Sequence, residues 1–481
     1  MTVSTAIKSI QDIMRKDAGV DGDAQRLSQL GWLLFLKIFD DQEKELDATQ
    51  DNFKSPIPKR FRWREWAANS EGITGEELLD FINNDLFRAL KGLPAGPNNP
   101  RAQVVKAVFE DSFNYMKNGT LLRQVINKIN EVDFNSSEDR HLFGDIYEQI
   151  LKDLQAAGNS GEYYTPRAVT QFMVDRVDPQ LGEKILDPAC GTGGFLANAI
   201  EHIRSKYVKN VRDERKLQDS INGVEKKQMP HLLCVTNMLL HGIEIPFNIK
   251  RDNTLARPLR DYGPADRVNV IVTNPPFGGM EEDGVETNFP NAYRTKETAD
   301  LFLVLIVSLL KNGGRGAIVL PDGTLFGEGV KTRIKEMFLS ECNLHTIVRL
   351  PKGVFNPYTS INTNLLFFTK GEPTKAIWYY EHPYPEGAVS YNKGRPISFE
   401  EFTSEIKWWN KRKESEVAWK VDIKRIKESN YNLDIKNPNV EAAKHRDPEE
   451  LLVEYQKMEK ETVEIREKLK KELMDSLGGK K

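Results

Sequence analysis

Cysteine, basic excess and long apolar runs are all scarce in this chain, and each scarcity removes a class of function. Three cysteines in 481 residues (Cys190, Cys234, Cys342) show neither paired metal-ligand spacing nor the number a disulfide framework needs. A reducing, cytoplasmic setting is therefore expected. The apolar run at residues 32–36 stops at Lys37, far too short to cross a bilayer. Met1 to Lys16 has no apolar stretch of the kind a signal peptide carries, so no membrane role is expected. The formal net charge is −3. Free-standing DNA binders usually carry a strong basic excess, because phosphate neutralisation supplies most of their affinity. If the chain works on nucleic acid, a local basic face or a second subunit must supply that charge.

What is present divides the chain in three. Residues 1–155 read as a helical domain: Leu27, Leu30, Leu34 and Ile38 recur at helical spacing, and Thr74-Gly75-Glu76-Glu77 reads as a helix start. The Pro/Gly/Asn-rich segment 91–100 is a loop within it. Over 156–400 short apolar strands alternate with helices, for example Ile185, Ile221 to Val224, Val268 to Thr273, Gly316 to Leu320, His345 to Leu350 and Asn364 to Phe368, with a helix from Leu301. That alternation predicts an α/β fold with a mostly parallel sheet, helices on both faces and an antiparallel edge near its end. Residues 401–481 are dense in charge and read as a helical tail. Leu451, Tyr455, Met458, Thr462, Ile465 and Leu469 form a heptad seam. It packs either on its own domain or on a partner helix.

Two motifs carry chemistry. Asn274-Pro275-Pro276-Phe277 closes an apolar strand, and the paired prolines stop the ladder at a stiff corner. An amide, a carbonyl and an aromatic ring are thereby presented at the carboxyl end of a strand, where open α/β sheets bind ligands. Such a corner suits a planar ring bearing an exocyclic amine. Upstream, Asp187-Pro188-Ala189-Cys190-Gly191-Thr192-Gly193-Gly194 is a strand end, a glycine-rich turn and a helix start. Asp187 favours a cationic amino-acid moiety over a pyrophosphate, and Glu225, ending the next strand, is placed to accept ribose hydroxyls. Cys190 reads as packing within the turn rather than as a nucleophile. His231 and Cys234 share a helix turn but lack the further ligands of a metal site.

Together these motifs resemble the S-adenosylmethionine-dependent amino-methyltransferases of DNA, and the layout resembles the modification (M) subunit of type I restriction–modification systems. The resemblance implies a Rossmann-like core that uses S-adenosylmethionine and methylates adenine N6. It implies that Glu162, Tyr163, Tyr164, Thr165, Pro166 and Arg167, with Thr192, Gly193, Gly194 and Glu225, line the cofactor. Asn253 is expected near the cofactor adenine, with neighbouring Asp252 as the other candidate for that contact. The Asn274 side-chain oxygen and the Pro275 carbonyl would accept the two N–H bonds of a flipped adenine, with stacking on Phe277. A tryptophan at 277 is expected to be partly tolerated on that view.

Little chain remains after the last strand for a target-reading domain, so sequence choice is assigned to a partner. The family implies DNA, a separate specificity subunit, a second M subunit and restriction subunits as partners. Rival readings are an enzyme whose first 155 residues bind DNA unaided, a protein-glutamine or ribosomal RNA methyltransferase, and a non-catalytic scaffold. Cytosine N4 is a poorer fit, because that chemistry more often places serine where Asn274 stands.

Overall fold

The computed structural model describes residues 3–134, 147, 165–356, 359, 361–392, 394–439 and 448–478. Two compact units emerge, Met1–Ile435 and Lys436–Lys481.

The first unit begins with helices, as the leucine spacing predicts. Leu27, Leu30, Leu34 and Ile38 all lie buried on one helix, Asp23–Thr49. Trp32 on the same helix packs edge-on against Phe87, ring centroids 5.1 Å apart. Buried aromatic pairs of this kind add to the burial of their area. The expected start at Thr74 is the cap of helix Gly75–Asp80. The expected loop ends where Asn99 caps helix Pro100–Phe109, its side chain accepting from the Ala102 amide at 3.2 Å.

These helices are continuous with the catalytic half. A Cβ on Gly31 would lie 3.0 Å from Leu232, so helix Asp23–Thr49 rests almost backbone-to-side-chain on helix Gln228–Leu240. Gln228 Nε2 donates to the Val108 carbonyl at 2.6 Å across the same seam.

Nine strands make one sheet: β1 Ile185–Asp187, β2 Ile221–Glu225, β3 Ile249–Arg251, β4 Val268–Thr273, β5 Leu310–Pro321, β6 Cys342–Arg349, β7 Thr363–Lys370, β8 Ala376–Glu381 and β9 Ala418–Asp422. Their order is β3-β2-β1-β4-β5-β7-β6-β8-β9. Strands β3 to β5 are mutually parallel, while β7 runs antiparallel to both neighbours. The antiparallel member expected at the edge is therefore interior: β6 returns as β7 and inserts beside β5. A true antiparallel edge also exists where β9 pairs β8.

From β1 the chain moves outward through β2 and β3, then comes back to β4 on the other side of β1. Loops leaving the carboxyl ends of β1 and β4 thus diverge and open a crevice. Asp187 ends β1, and Asn274 directly follows β4.

Three strands escaped the sequence reading. β3 is three residues, only one of them apolar, and β8 and β9 lie at the far edge of the sheet. The charged region beyond 401 is accordingly not all tail. Helix Thr403–Asn410, β9 and helix Ile423–Glu428 belong to the first unit, and Phe402 stacks on Phe172 at 4.3 Å. The second unit holds helix Pro448–Gly478, whose seam residues Leu451, Tyr455, Met458, Ile465 and Leu469 are exposed. Among the described residues, no helix is long and apolar enough to cross a membrane.

Candidate active site

Asp187 is locked between two strands. Its Oδ1 accepts from Thr273 Oγ1 at 2.6 Å and from the Ala189 amide at 3.1 Å. Burial pushes this carboxyl up to about 7, with Glu225 adding to the rise and the two hydrogen bonds opposing it. The turn beyond it is tied to β2: the Cys190 amide donates to the Val224 carbonyl at 3.0 Å, and the Gly191 amide to Glu225 Oε2 at 3.0 Å. Glu225 Oε1 also accepts the Lys227 amide at 2.7 Å, so the carboxylate is held in place.

Gly193 also answers a packing demand. It adopts φ +84°, and a Cβ there would lie 2.8 Å from Cys234 Sγ and 3.1 Å from Met238. Its missing side chain lets the turn press on helix Gln228–Leu240.

A cavity of about 390 Å³ follows the carboxyl ends of β1, β2 and β4. Of the expected residues, Thr165, Asp187, Gly191, Thr192, Gly194, Glu225, Asn274 and Pro276 line it. Pro166, Arg167, Gly193, Asn253, Pro275 and Phe277 are not among the residues that line it. Arg167 instead pairs with Glu201 at 3.0 Å. Asn253 reaches the cavity through Glu281, donating to its Oε2 at 3.2 Å, whereas Asp252 lines a separate cavity of about 260 Å³. Glu162, Tyr163 and Tyr164 lie outside the described residues.

Asn274 is the most informative side chain. Its Nδ2 donates to Thr165 Oγ1 at 2.8 Å. Its Oδ1 is buried and accepts no hydrogen bond from any described residue. An unsatisfied buried acceptor is costly to a fold, and this one belongs to a residue that lines the cavity.

Phe277 corrects an expectation. Its ring is only 2% exposed and meets Phe355 edge-on at 6.4 Å. The ring belongs to the apolar core around it. An indole at 277 would therefore overfill a packed site, and the tolerance expected from sequence is withdrawn.

Residues the sequence reading passed over also line the cavity, notably Lys226, Lys227, Met280, Glu281 and Thr298. Lys226 and Lys227 follow Glu225 directly, which was the available signal. Glu281 belongs to loop 278–290, which is stapled rather than loose. The Glu281 amide donates to the Lys296 carbonyl at 3.0 Å, the Thr298 hydroxyl to the Gly279 carbonyl at 2.9 Å, and Lys226 pairs with Glu282 at 3.2 Å.

Cys190 packs as expected. Its Sγ is 3.7 Å from Cys234 Sγ, and that contact together with burial pushes its thiol well above the ordinary range. A thiolate nucleophile is thereby disfavoured. No group of three or more metal-ligating side chains occurs among the described residues.

Comparison with known proteins identifies the family. The family described as N-6 DNA Methylase matches residues 138–447, and the HsdM N-terminal domain matches residues 3–129. The chain is 63% identical to the type I restriction enzyme EcoEI methylase subunit of Escherichia coli, covering 100% of this chain and 99% of that one. It is 28% identical to the EcoKI methylase subunit of E. coli K12, over 76% of this chain and 68% of that one. Among solved structures, a modification subunit from Vibrio vulnificus YJ016 superposes with TM-score 0.82 at 48% identity, covering 91% of this chain and 96% of that one. Another, from a study of type I restriction–modification complex assembly, gives TM-score 0.82 at 36% identity and 98% coverage of both chains. With a site matching that chemistry and relatives matching its full length, this chain belongs to the methylase subunits of type I restriction–modification systems, within the N-6 DNA methylase family.

Proposed function

We propose that this chain methylates the exocyclic N6 of an adenine in DNA, using S-adenosylmethionine, with sequence choice supplied by a separate specificity subunit. The observation that carries this reading is the buried, unanswered Asn274 Oδ1 at one end of a cavity whose other walls bear Asp187 and Glu225. The residues fit the donor. Asp187 supplies a carboxylate for a cationic amino-acid end, Glu225 suits a ribose diol, and Asn253 backs Glu281 beside it. When bound, the donor supplies a methyl group already activated on a sulfonium. Everything else falls on the chain.

An adenine amine is a weak nucleophile because its lone pair is shared with the ring. Asn274 Oδ1 and the Pro275 carbonyl would each accept one N–H, drawing the nitrogen toward tetrahedral geometry and aiming its lone pair. The N–C bond forms as the C–S bond breaks, and the surplus proton on nitrogen passes to water. Alignment at a stiff corner supplies most of the acceleration. The base must leave the duplex to reach this corner, at a cost of a few kcal/mol. The helical region before β1 and the heptad helix Pro448–Gly478 are the surfaces we assign to subunit contact, with a second M subunit and restriction subunits completing the complex.

Incubation of chain, specificity subunit, DNA and methyl-labelled donor tests the reading. Label is expected in N6-methyladenine. Label in a cytosine, in RNA or in protein would overturn it, and full site-specific labelling by the chain alone would remove the specificity subunit.

Asp187 adds a pH dependence. With its carboxyl raised to about 7 in the free site, it is largely protonated below that pH. A cationic donor prefers the carboxylate, so binding must displace the proton. Affinity should rise as pH climbs to about 7 and then level, changing by up to about tenfold per unit below it. The unliganded fold has the opposite sign. A folded pKa above the ordinary 3.8 means stability falls as pH rises from about 4 to about 7. Calorimetric donor titrations from pH 5.5 to 8.5 read the first effect; a flat profile would remove Asp187 from the cation site.

A further inference from the structure

A carboxamide carries two chemically opposite ends on one flat group. Turned one way, Asn274 offers a lone pair to the cleft; turned over, it offers N–H bonds. An amine is gripped by the first, a ring carbonyl by the second. Among the described residues, the hydrogen bond that anchors the group goes to Thr165. Its Oγ1 accepts from Nδ2 at 2.8 Å, which leaves Oδ1 buried and unanswered among the described residues.

Thr165 is well placed to hold that setting. Pro166 confines the preceding residue to extended backbone, so Thr165 is stiff. The Pro166 carbonyl then takes the Val169 amide at 2.9 Å and the Thr170 amide at 3.1 Å, closing the first turn of helix Arg167–Val177. Buried Val169, Phe172 and Met173 root that helix in the core. The hydroxyl is thus carried on a fixed support, reaching β4's corner from an element far away in sequence.

The geometry points to Thr165 as a positioning residue that anchors the Asn274 carboxamide through Nδ2 and leaves its oxygen for an incoming N–H donor. This rests on the amine-methylating reading above. Thr165 also lines the cavity, so a simple donor contact is the competing account, and the two make different demands on kinetics.

Methyl transfer is measured with the full chain, its specificity subunit and DNA, at saturating S-adenosylmethionine, and donor affinity is measured separately by calorimetry. Thr165→Val keeps the side-chain shape and removes the acceptor. Its saturated rate should fall about 10- to 100-fold while donor affinity stays within about threefold. Thr165→Ser, which retains the hydroxyl, should stay within about threefold of the unmodified rate. In an Asn274→Ala background, Thr165→Val should change the rate by less than about twofold, since the group it orients is gone. Should Thr165→Val misfold, Thr165→Ala makes the same comparison. A loss confined to donor affinity, a Ser variant as slow as the Val variant, or a full penalty persisting without Asn274 would each overturn the proposal. A wild-type complex that labels no adenine would instead defeat the underlying reading.

Discussion

Asn274→Ala is expected to lower the rate of methyl transfer by at least about 100-fold while leaving donor affinity nearly unchanged. The magnitude follows from removing one preorganised polar partner of a developing charge, about 3 kcal/mol in the chemical step. The asymmetry follows from position. Asn274 stands at the β4 end of the cavity, whereas the carboxylates assigned to the donor, Asp187 and Glu225, come from β1 and β2. Its oxygen accepts from no described residue, so truncation should cost the fold little. Single-turnover rates alongside donor calorimetry make the separation. Unchanged turnover with the specificity subunit present would take Asn274 out of the mechanism, and a matching loss of donor affinity would move it to the donor site.

Phe277→Ala should first be a stability mutant, losing about 3–5 kcal/mol, because the ring is buried against Phe355. Phe277→Trp should also destabilise, by about 1–3 kcal/mol, through overpacking. Phe277→Leu discriminates between packing and stacking. It keeps much of the apolar volume and should cost about 1–2 kcal/mol. If the ring serves only as a floor for the corner, the Leu variant should methylate at close to the normal rate below its melting temperature. A large rate loss in a well-folded Leu variant would mean that the ring leaves its pocket to meet the base. Denaturant melts set beside turnover at low temperature distinguish the two.

How much of this was legible beforehand differs from residue to residue. Helix Asp23–Thr49 was readable because its leucines recur with the helical period, and β4 because a run of β-branched residues ends in two prolines. Asp187 and Asn274 were readable for a related reason: each ends a strand at a chemically marked turn, so local pattern located it. Order along the chain cannot show that β7 inserts between β5 and β6, since antiparallel insertion and edge addition need similar short connections. β9 was hidden by the charge around it, although Ala418, Trp419 and Val421 are buried.

Chemistry written in consecutive residues (a glycine turn, a proline-locked amide, an acidic strand end) is a local property, and it carried the family resemblance without coordinates. Direction is not local. Whether Phe277 is buried, what Gly193 makes room for, and what anchors the Asn274 carboxamide depend on what another part of the chain puts opposite. Such partners meet only when the sheet closes. The Thr165 hydroxyl that meets Asn274 comes from the segment just ahead of helix Arg167–Val177, and no periodicity or spacing encodes that meeting.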